Sequence, residues 1–284
     1  MGRFAGFHPV CSFSFFMLVI LFTVIFNNPV YMIISIASAF IFRFMLSGKA
    51  AFSSLKLILP VVLLAGVFNM LFTHYGITKL FTIGGHDFML ESLAFGFSTG
   101  LMLGAVILWF SCYTEIVTSE KFMALFGSFM PNLALLFSMV LRFIPLMIKT
   151  SNEIKEAHVG MGNEIHGLKN SINRFSCLVS ISLEKSIETA DSMKSRGFGE
   201  KKRKPYIRYK FRNSDLVLML FLVLSAALMI SADMLKINLF FYEPKMTVEN
   251  NSVIFYVLFG IFSLMPVIID VAEEIKWRLL KLKI

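Results

Sequence analysis

A polar stretch, Glu188–Glu200 (ETADSMKSRGFGE), interrupts a chain in which 57% of residues are hydrophobic. At its centre, Ser195-Arg196-Gly197 sets an arginine directly before a glycine. Glu188 to Lys194 suits a helix, and Gly197 can take the positive φ that ends one. Arg196 would then stand at the C-terminal tip of a helix, permanently charged and able to donate in a fork to carboxylates. Such a tip suits an acidic groove on a soluble partner. The plainer alternative is that Arg196 offsets the negative end of the helix dipole.

Other chemistry is conspicuous by its absence from the sequence. No G-x-x-x-x-G-K-[ST] phosphate loop occurs, so the chain is not expected to bind ATP in that manner. Nor is there a G-x-S-x-G, an H-E-x-x-H or a paired-cysteine arrangement, so neither an enzyme nor a bound cofactor is expected. Cys11, Cys112 and Cys177 are too scattered for a disulfide framework or a zinc site. His74, His86 and Asp87 share one loop region and could in principle hold a metal, but solvated loop histidines are commoner. No metal site is expected there. His158 and His166 are read as surface residues.

The elements that must position Arg196 are those of a membrane protein. Only 16% of the 284 residues are charged and the mean hydropathy is +0.75, whereas soluble domains average about 25% charged residues. The formal charge of +9 lies beside apolar spans. The positive-inside rule and anionic lipid explain it better than nucleic acid does. A span needs about 20 apolar residues, and six stretches qualify: Cys11–Phe26, Val30–Met45, Leu57–Phe72, Leu90–Phe110, Leu216–Ile230 and Val253–Ile269. This predicts an all-α polytopic protein with both termini in the cytoplasm and no removed signal peptide. Arg43, near the end of the second span, can snorkel to the interface. Gly96, Gly100 and Gly104 form a ridge at four-residue spacing in the fourth span, suited to close helix packing. A polar loop, His74–Asp87, precedes that span.

Between Arg142 and Arg212 lie 15 of the 27 Lys and Arg residues with only seven acidic ones. This block is not expected to be threaded through a bilayer. Just before it, Asn132–Ile148 as a full span would place the most basic segment outside. It is therefore read as a helix at the cytoplasmic side or entering the membrane partway. Ile172, Phe175, Val179 and Leu183 then form one apolar stripe, and two or three amphipathic helices are expected between Asn152 and Phe198. Lys201-Lys202-Arg203-Lys204-Pro205 reads as a basic linker at lipid headgroups, and the tail around Trp277 as an interfacial anchor. The organisation expected is a first membrane block over residues 1–114, an interfacial module over 115–213 and a second membrane block over 214–284. No ionisable group sits mid-span, which argues against a self-sufficient secondary carrier or channel.

Ala190-Asp191-Ser192-Met193-Lys194-Ser195-Arg196-Gly197-Phe198 resembles the second Ala-Arg-Gly signature of the transmembrane coupling component of energy-coupling factor transporters. That component is related to the cobalt-transport permease subunit. His8-Pro9, Asn69 with His74-Tyr75-Gly76-Ile77-Thr78, and Leu141-Arg142-Phe143-Ile144-Pro145 are similar too, so the resemblance covers nearly the whole chain. The first signature corresponds to Ala157-His158-Val159-Gly160-Met161-Gly162, where Met161 stands at the arginine position. The resemblance implies that Ala157, Gly160, Met161, Gly162, Ala190, Asp191, Met193, Ser195, Arg196 and Gly197 engage two cytoplasmic ATPase subunits. It implies further that a separate small membrane subunit captures a vitamin or a metal ion. Two readings of the departure remain: Met161 fills an apolar groove, or Lys155 or His158 supplies the charge.

Overall fold

The computed structural model describes residues 3–73, 78–83, 86–127, 130–162, 167–199, 211–235, 237–242, 247–249 and 252–281. The chain divides into two compact units, one made of Met1–Thr118 with Tyr209–Ile284 and the other of Ser119–Arg208.

In the first unit a 3-10 turn, Arg3–Gly6, leads into α1 (Pro9–Ile25) and α2 (Pro29–Ser47). Both helices start on proline, whose missing N–H costs nothing at a first turn. Each is capped by the residue before it: His8 Nδ1 accepts from the Val10 amide at 3.3 Å, and Asn28 Oδ1 from the Val30 amide at 3.0 Å. Next come α3 (Ala50–Phe72), a short hairpin of β1 (Lys79–Ile83) and β2 (His86–Met89), and α4 (Leu90–Ile116). The loop expected over His74–Asp87 thus contains a β-ladder, with Phe81 opposite Phe88 and Ile83 opposite His86. After the second unit follow α8 (Asn213–Met234), the hairpin β3 (Leu239–Phe241) and β4 (Thr247–Glu249), and α9 (Val253–Lys281). The stretch around Trp277, expected as an interfacial anchor, forms the end of α9.

Among the described residues, six helices are long and apolar enough to cross a membrane: α2, α3, α4, α8, α9 and the 132–160 helix of the second unit. α1, with 17 residues, is shorter than these, at the lower edge of what a bilayer accepts.

The core of this unit is aromatic. Trp109 of α4 is fully buried among Phe15, Phe16 and Phe42, and Phe4 of the N-terminal turn packs beside them. The indole N–H donates to Ser35 Oγ at 2.9 Å, and that oxygen also meets Thr23 Oγ1 at 2.9 Å, so the polar edge of a buried tryptophan is satisfied. Arg43 reaches toward the ends of α2 and α4. Its guanidinium reaches across to α4, where it donates to the Ser111 carbonyl at 3.2 Å and pairs with Glu115, whose carboxylate also accepts from Ser47. The Arg43 side chain is 17% exposed and that of Glu115 37%, so the pair is partly open to its surroundings.

In the second unit α5 (Ser119–Gly127) is followed by two long helices, α6 (Pro131–Gly160) and α7 (Leu168–Ser195). The apolar run after Asn132 and the amphipathic segment after Asn152 are one continuous helix. By length and composition, the 132–160 stretch ranks with the spans, contrary to the expectation of a partial entry. Arg142 is no obstacle in composition, and Lys149 and Lys155 fall in the second half of the helix. Only 6% of its apolar window is buried, so most of that surface is left for lipid or a partner.

Candidate functional site

The end of α7 explains how Arg196 is held. Arg196 is the C-cap at φ −87°, ψ 8°, and Gly197 follows at φ +79°. With the chain turned by that glycine, the Gly197 amide donates to the Lys194 carbonyl at 2.9 Å and the Phe198 amide to the Met193 carbonyl at 3.1 Å. These are the two bonds of a Schellman cap. Glycine is required there because a left-handed residue with a Cβ is strained. The cap satisfies two terminal carbonyls and leaves the Arg196 side chain exposed beyond the last turn. Ser195 turns back on the helix, its Oγ donating to the Asp191 carbonyl at 2.8 Å. Ala190 and Asp191 are exposed and Met193 is half-buried. Arg196 has no salt-bridge partner among the described residues.

The last described residues of α6 carry the same cap conformation. Met161 is the C-cap at φ −84°, ψ 5°, Gly162 follows at φ +74°, and the Gly162 amide donates to the Val159 carbonyl at 3.0 Å. The pairing of Met161 with Arg196, and of Gly162 with Gly197, therefore holds in backbone conformation. Ala157 and Gly160 are exposed on the last turns of α6, and nothing lies within 4 Å of where a Cβ on Gly160 would stand. Of the two residues considered for supplying charge here, Lys155 is exposed and His158 half-buried. His166 lies outside the described residues, as does the linker Lys201–Pro205.

The two helices touch at equivalent places. Ser182 Oγ donates to Met147 Sδ at 2.8 Å, and Lys185 Nζ to Thr150 Oγ1 at 3.3 Å. Each pair is 35 positions apart, and so are Met161 and Arg196. Both tips therefore lie 14 residues beyond the crossing, roughly 21 Å at a helical rise. Buried Thr150 and Ile154 pack near the crossing. Past it, the end of α7 runs beside the first half of α6. An open groove of about 1430 Å³ lies there, lined among others by Asn132, Ser138, Arg142, Glu188, Arg196 and Phe198. Arg142 is thus a second guanidinium on the groove that Arg196 lines. In the sequence it stands at the start of the basic block and within the Leu141–Pro145 motif that carries part of the resemblance, with no sign of its place beside Arg196. From Arg142 the α6 tip is 19 residues further along, or roughly 28 Å, so the two tips are well separated. On α5, burial pushes the Lys121 ammonium below the ordinary lysine range.

In the first unit, Gly96, Gly100 and Gly104 face α3. A Cβ on Gly96 would stand 2.7 Å from Asn69 Cβ, one on Gly100 2.8 Å from Val62 Cα, and one on Gly104 2.6 Å from Ile58 Cγ2. The ridge brings α3 and α4 into backbone contact. His74 lies outside the described residues, as do the side chains of His86 and Asp87, so the metal alternative raised for them falls there too.

A family model described as CbiQ, cobalt transport protein, matches residues 7–207, roughly seven-tenths of the chain. The chain belongs to the CbiQ cobalt transport protein family. The matched region takes in α1 through α7 and both capped tips and ends before α8, so the CbiQ resemblance includes the crossed helices as well as the first membrane helices. Membership makes the chain a multi-pass membrane component of a transporter. No curated protein sequence matches it significantly.

Proposed function

We propose that this chain is the transmembrane coupling subunit of an ATP-driven uptake transporter of the energy-coupling factor type. The observation that carries the reading is the pair of matching caps at the ends of α6 and α7, equally far from one crossing, with Arg196 exposed on one of them. Two cytoplasmic ATPase subunits each receive one tip, and ATP-driven closure moves the tips. Because α6 and α7 are long rigid levers touching at Met147, Thr150, Ser182 and Lys185, displacement of a tip changes the crossing and hence the faces beyond it. On α7 that face carries Ile172, Phe175, Leu183 and Ile187, all more than 60% exposed. Such a stripe costs free energy in water and suits the small membrane subunit that captures the vitamin or metal ion. The chain contributes force transmission and no catalytic group. Both termini lie in the cytoplasm in this arrangement.

Arg196 is the position that tests the reading. Each charge-assisted bond from its guanidinium to an ATPase carboxylate is worth about 1.5–3 kcal/mol. Arg196→Glu converts attraction into repulsion. ATP-driven uptake is expected to be abolished while the protein still inserts into the membrane. Uptake at the unaltered level in that variant refutes the coupling role.

A further inference from the structure

In the first unit α1 and α8 lie side by side with their starts tied together. The Asp215 carboxylate accepts from the His8 and Arg212 amides, the Cys11 thiol donates to the Asp215 carbonyl at 3.6 Å, and the Phe211 ring stacks on the His8 imidazole at 3.9 Å. Further along, the two helices flank an open apolar slot of about 540 Å³, lined among others by Phe13, Met17, Met219, Val223, Ala226 and Ile230. The small side chains of Ala226 and Ala227 leave the space, and among the described lining residues only Ser14 has a polar side chain. On α8 the lining residues Met219, Val223, Ala226 and Ile230 follow at steps of four, three and four, which puts them on one face. Arg212, the N-cap of α8, stands seven residues before Met219 and heads the same row. It is exposed, and its guanidinium pairs with no carboxylate among the described residues. Asp215, one turn on, is buried with its carboxylate taken up by the two amides.

These dimensions select an occupant. Met219 to Ile230 spans roughly 16 Å at a helical rise, close to the roughly 15 Å that one leaflet contributes to the hydrocarbon core. Arg212 stands roughly 10 Å before the near end of the slot, at the level of the headgroups. A partner helix of the same length, about 10 Å across, occupies more than about twice the volume of the slot, so it would rest on the rim and leave the floor empty. One acyl chain reaches the floor. Bilayer tails are as apolar as the slot, so the lining alone prefers no lipid over another. The preference comes from Arg212, whose guanidinium donates in a fork to a phosphate and favours a headgroup with no compensating cation. We propose that the slot between α1 and α8 holds one acyl chain of an anionic phospholipid whose headgroup pairs with Arg212, in the leaflet that meets the starts of the two helices. A lipid held there fills the gap that Ala226 and Ala227 leave. This site is independent of the coupling role.

The test uses the full chain in nanodiscs of phosphatidylcholine with a trace of phosphatidylglycerol that carries a photoreactive diazirine halfway along one acyl chain. After illumination the labelled peptides are sequenced. Adducts are expected on the α1 and α8 residues that line the slot. The same trace of diazirine-bearing phosphatidylcholine is expected to label them about fivefold less, the ratio that one cation gives at an anionic surface. Arg212→Gln, which keeps the backbone amide bonded to Asp215, is expected to lower phosphatidylglycerol labelling to the phosphatidylcholine level. Ala227→Phe fills the slot from an exposed position and is expected to remove most labelling there by either lipid. Labelling of Leu63 and Phe68, on the exposed face of α3, is expected to stay at the parent level in both variants, which separates an emptied slot from a disturbed fold. Equal labelling by the two lipids in the parent shows bulk lipid only and overturns the proposal, as does labelling that survives Arg212→Gln undiminished. A further arm repeats the labelling in the complex purified with its co-expressed partners. Retained labelling supports the lipid site, whereas its loss, with benzoylphenylalanine at position 223 cross-linking to a partner, shows a protein interface and overturns it.

Discussion

Gly197 offers the sharpest test of how the tip is built, because its role is conformational and its cost can be worked out. At φ +79° any residue with a Cβ meets its own neighbouring backbone, a penalty of about 1–2 kcal/mol for an ordinary side chain. The two cap bonds that depend on this conformation, at 2.9 and 3.1 Å, are each worth about 1 kcal/mol net. The strain therefore comes close to cancelling the cap. Gly197→Ala is expected to reduce the capped population, and with it ATPase affinity, by about 5- to 30-fold. Asparagine, which tolerates the left-handed region, loses less, and β-branched valine loses most. The assay is titration of the co-expressed ATPase subunits onto the chain reconstituted in lipid nanodiscs, with the glycine, asparagine, alanine and valine forms compared. An affinity order in which alanine and valine equal or exceed asparagine refutes the argument that backbone conformation at this residue sets the tip. A uniform loss in all three variants would point instead to a steric contact with the partner.

Two predictions concern the membrane unit. Gly100→Val places a branched side chain where even a Cβ would lie 2.8 Å from Val62 Cα and 3.0 Å from its carbonyl oxygen, so α3 and α4 must separate. A loss of about 1–3 kcal/mol is expected, read as a lowered thermal midpoint in detergent, whereas Gly260→Ala, with its nearest neighbour at 3.7 Å, should stay close to the parent. Equal midpoints for the two variants contradict this packing. Asp215, 4% exposed, accepts from the His8 amide at 3.2 Å and the Arg212 amide at 2.8 Å, tying the start of α1 to the start of α8. Asp215→Ala strands both amides at about 1–3 kcal/mol for each unsatisfied donor, so about 2–4 kcal/mol is expected for these partly buried groups. Asp215→Asn, which keeps one acceptor oxygen, should fall less, and no difference between the two would remove this role.

Much of the fold could be read from the sequence because a bilayer imposes a coarse and strict rule: about 20 apolar residues per helix, with every backbone group satisfied internally. The expected starts at Cys11, Val30 and Leu90 fall within two residues of the observed Pro9, Pro29 and Leu90, and the prolines with their His8 and Asn28 caps set the first two. What escaped was whatever depends on partners distant in the chain. Arg43 meets Glu115 across 72 positions, and nothing local distinguishes such a pair from an arginine bound for the interface. The strands β1 and β2 lie in a stretch whose glycines and polar residues read equally well as an open loop. For α6 the argument from loop charge was sound but said nothing of continuity. Neither Lys149 nor Glu153 breaks a helix, and the two form an i, i+4 pair at 3.8 Å along it.

The candidate site shows the same division between what is local and what is not. That Arg196-Gly197 would end a helix was legible from two residues, since the left-handed cap is a local demand. The equivalence of Met161 with Arg196 could be proposed from spacing, but its substance lies in torsion angles and in the repeated 35-residue offset of the crossing contacts. It also explains how one signature can lose its arginine without losing its form. The glycine after the cap fixes the turn, whereas the cap residue itself, near φ −85° and ψ 5°, sits in a region open to ordinary side chains. Shape at these tips is therefore set by Gly162 and Gly197, and chemistry by the residue before each. A lever built this way can exchange a guanidinium for a thioether at one end and keep the same cap backbone at both. The difference between the two tips must then be felt by whatever receives them.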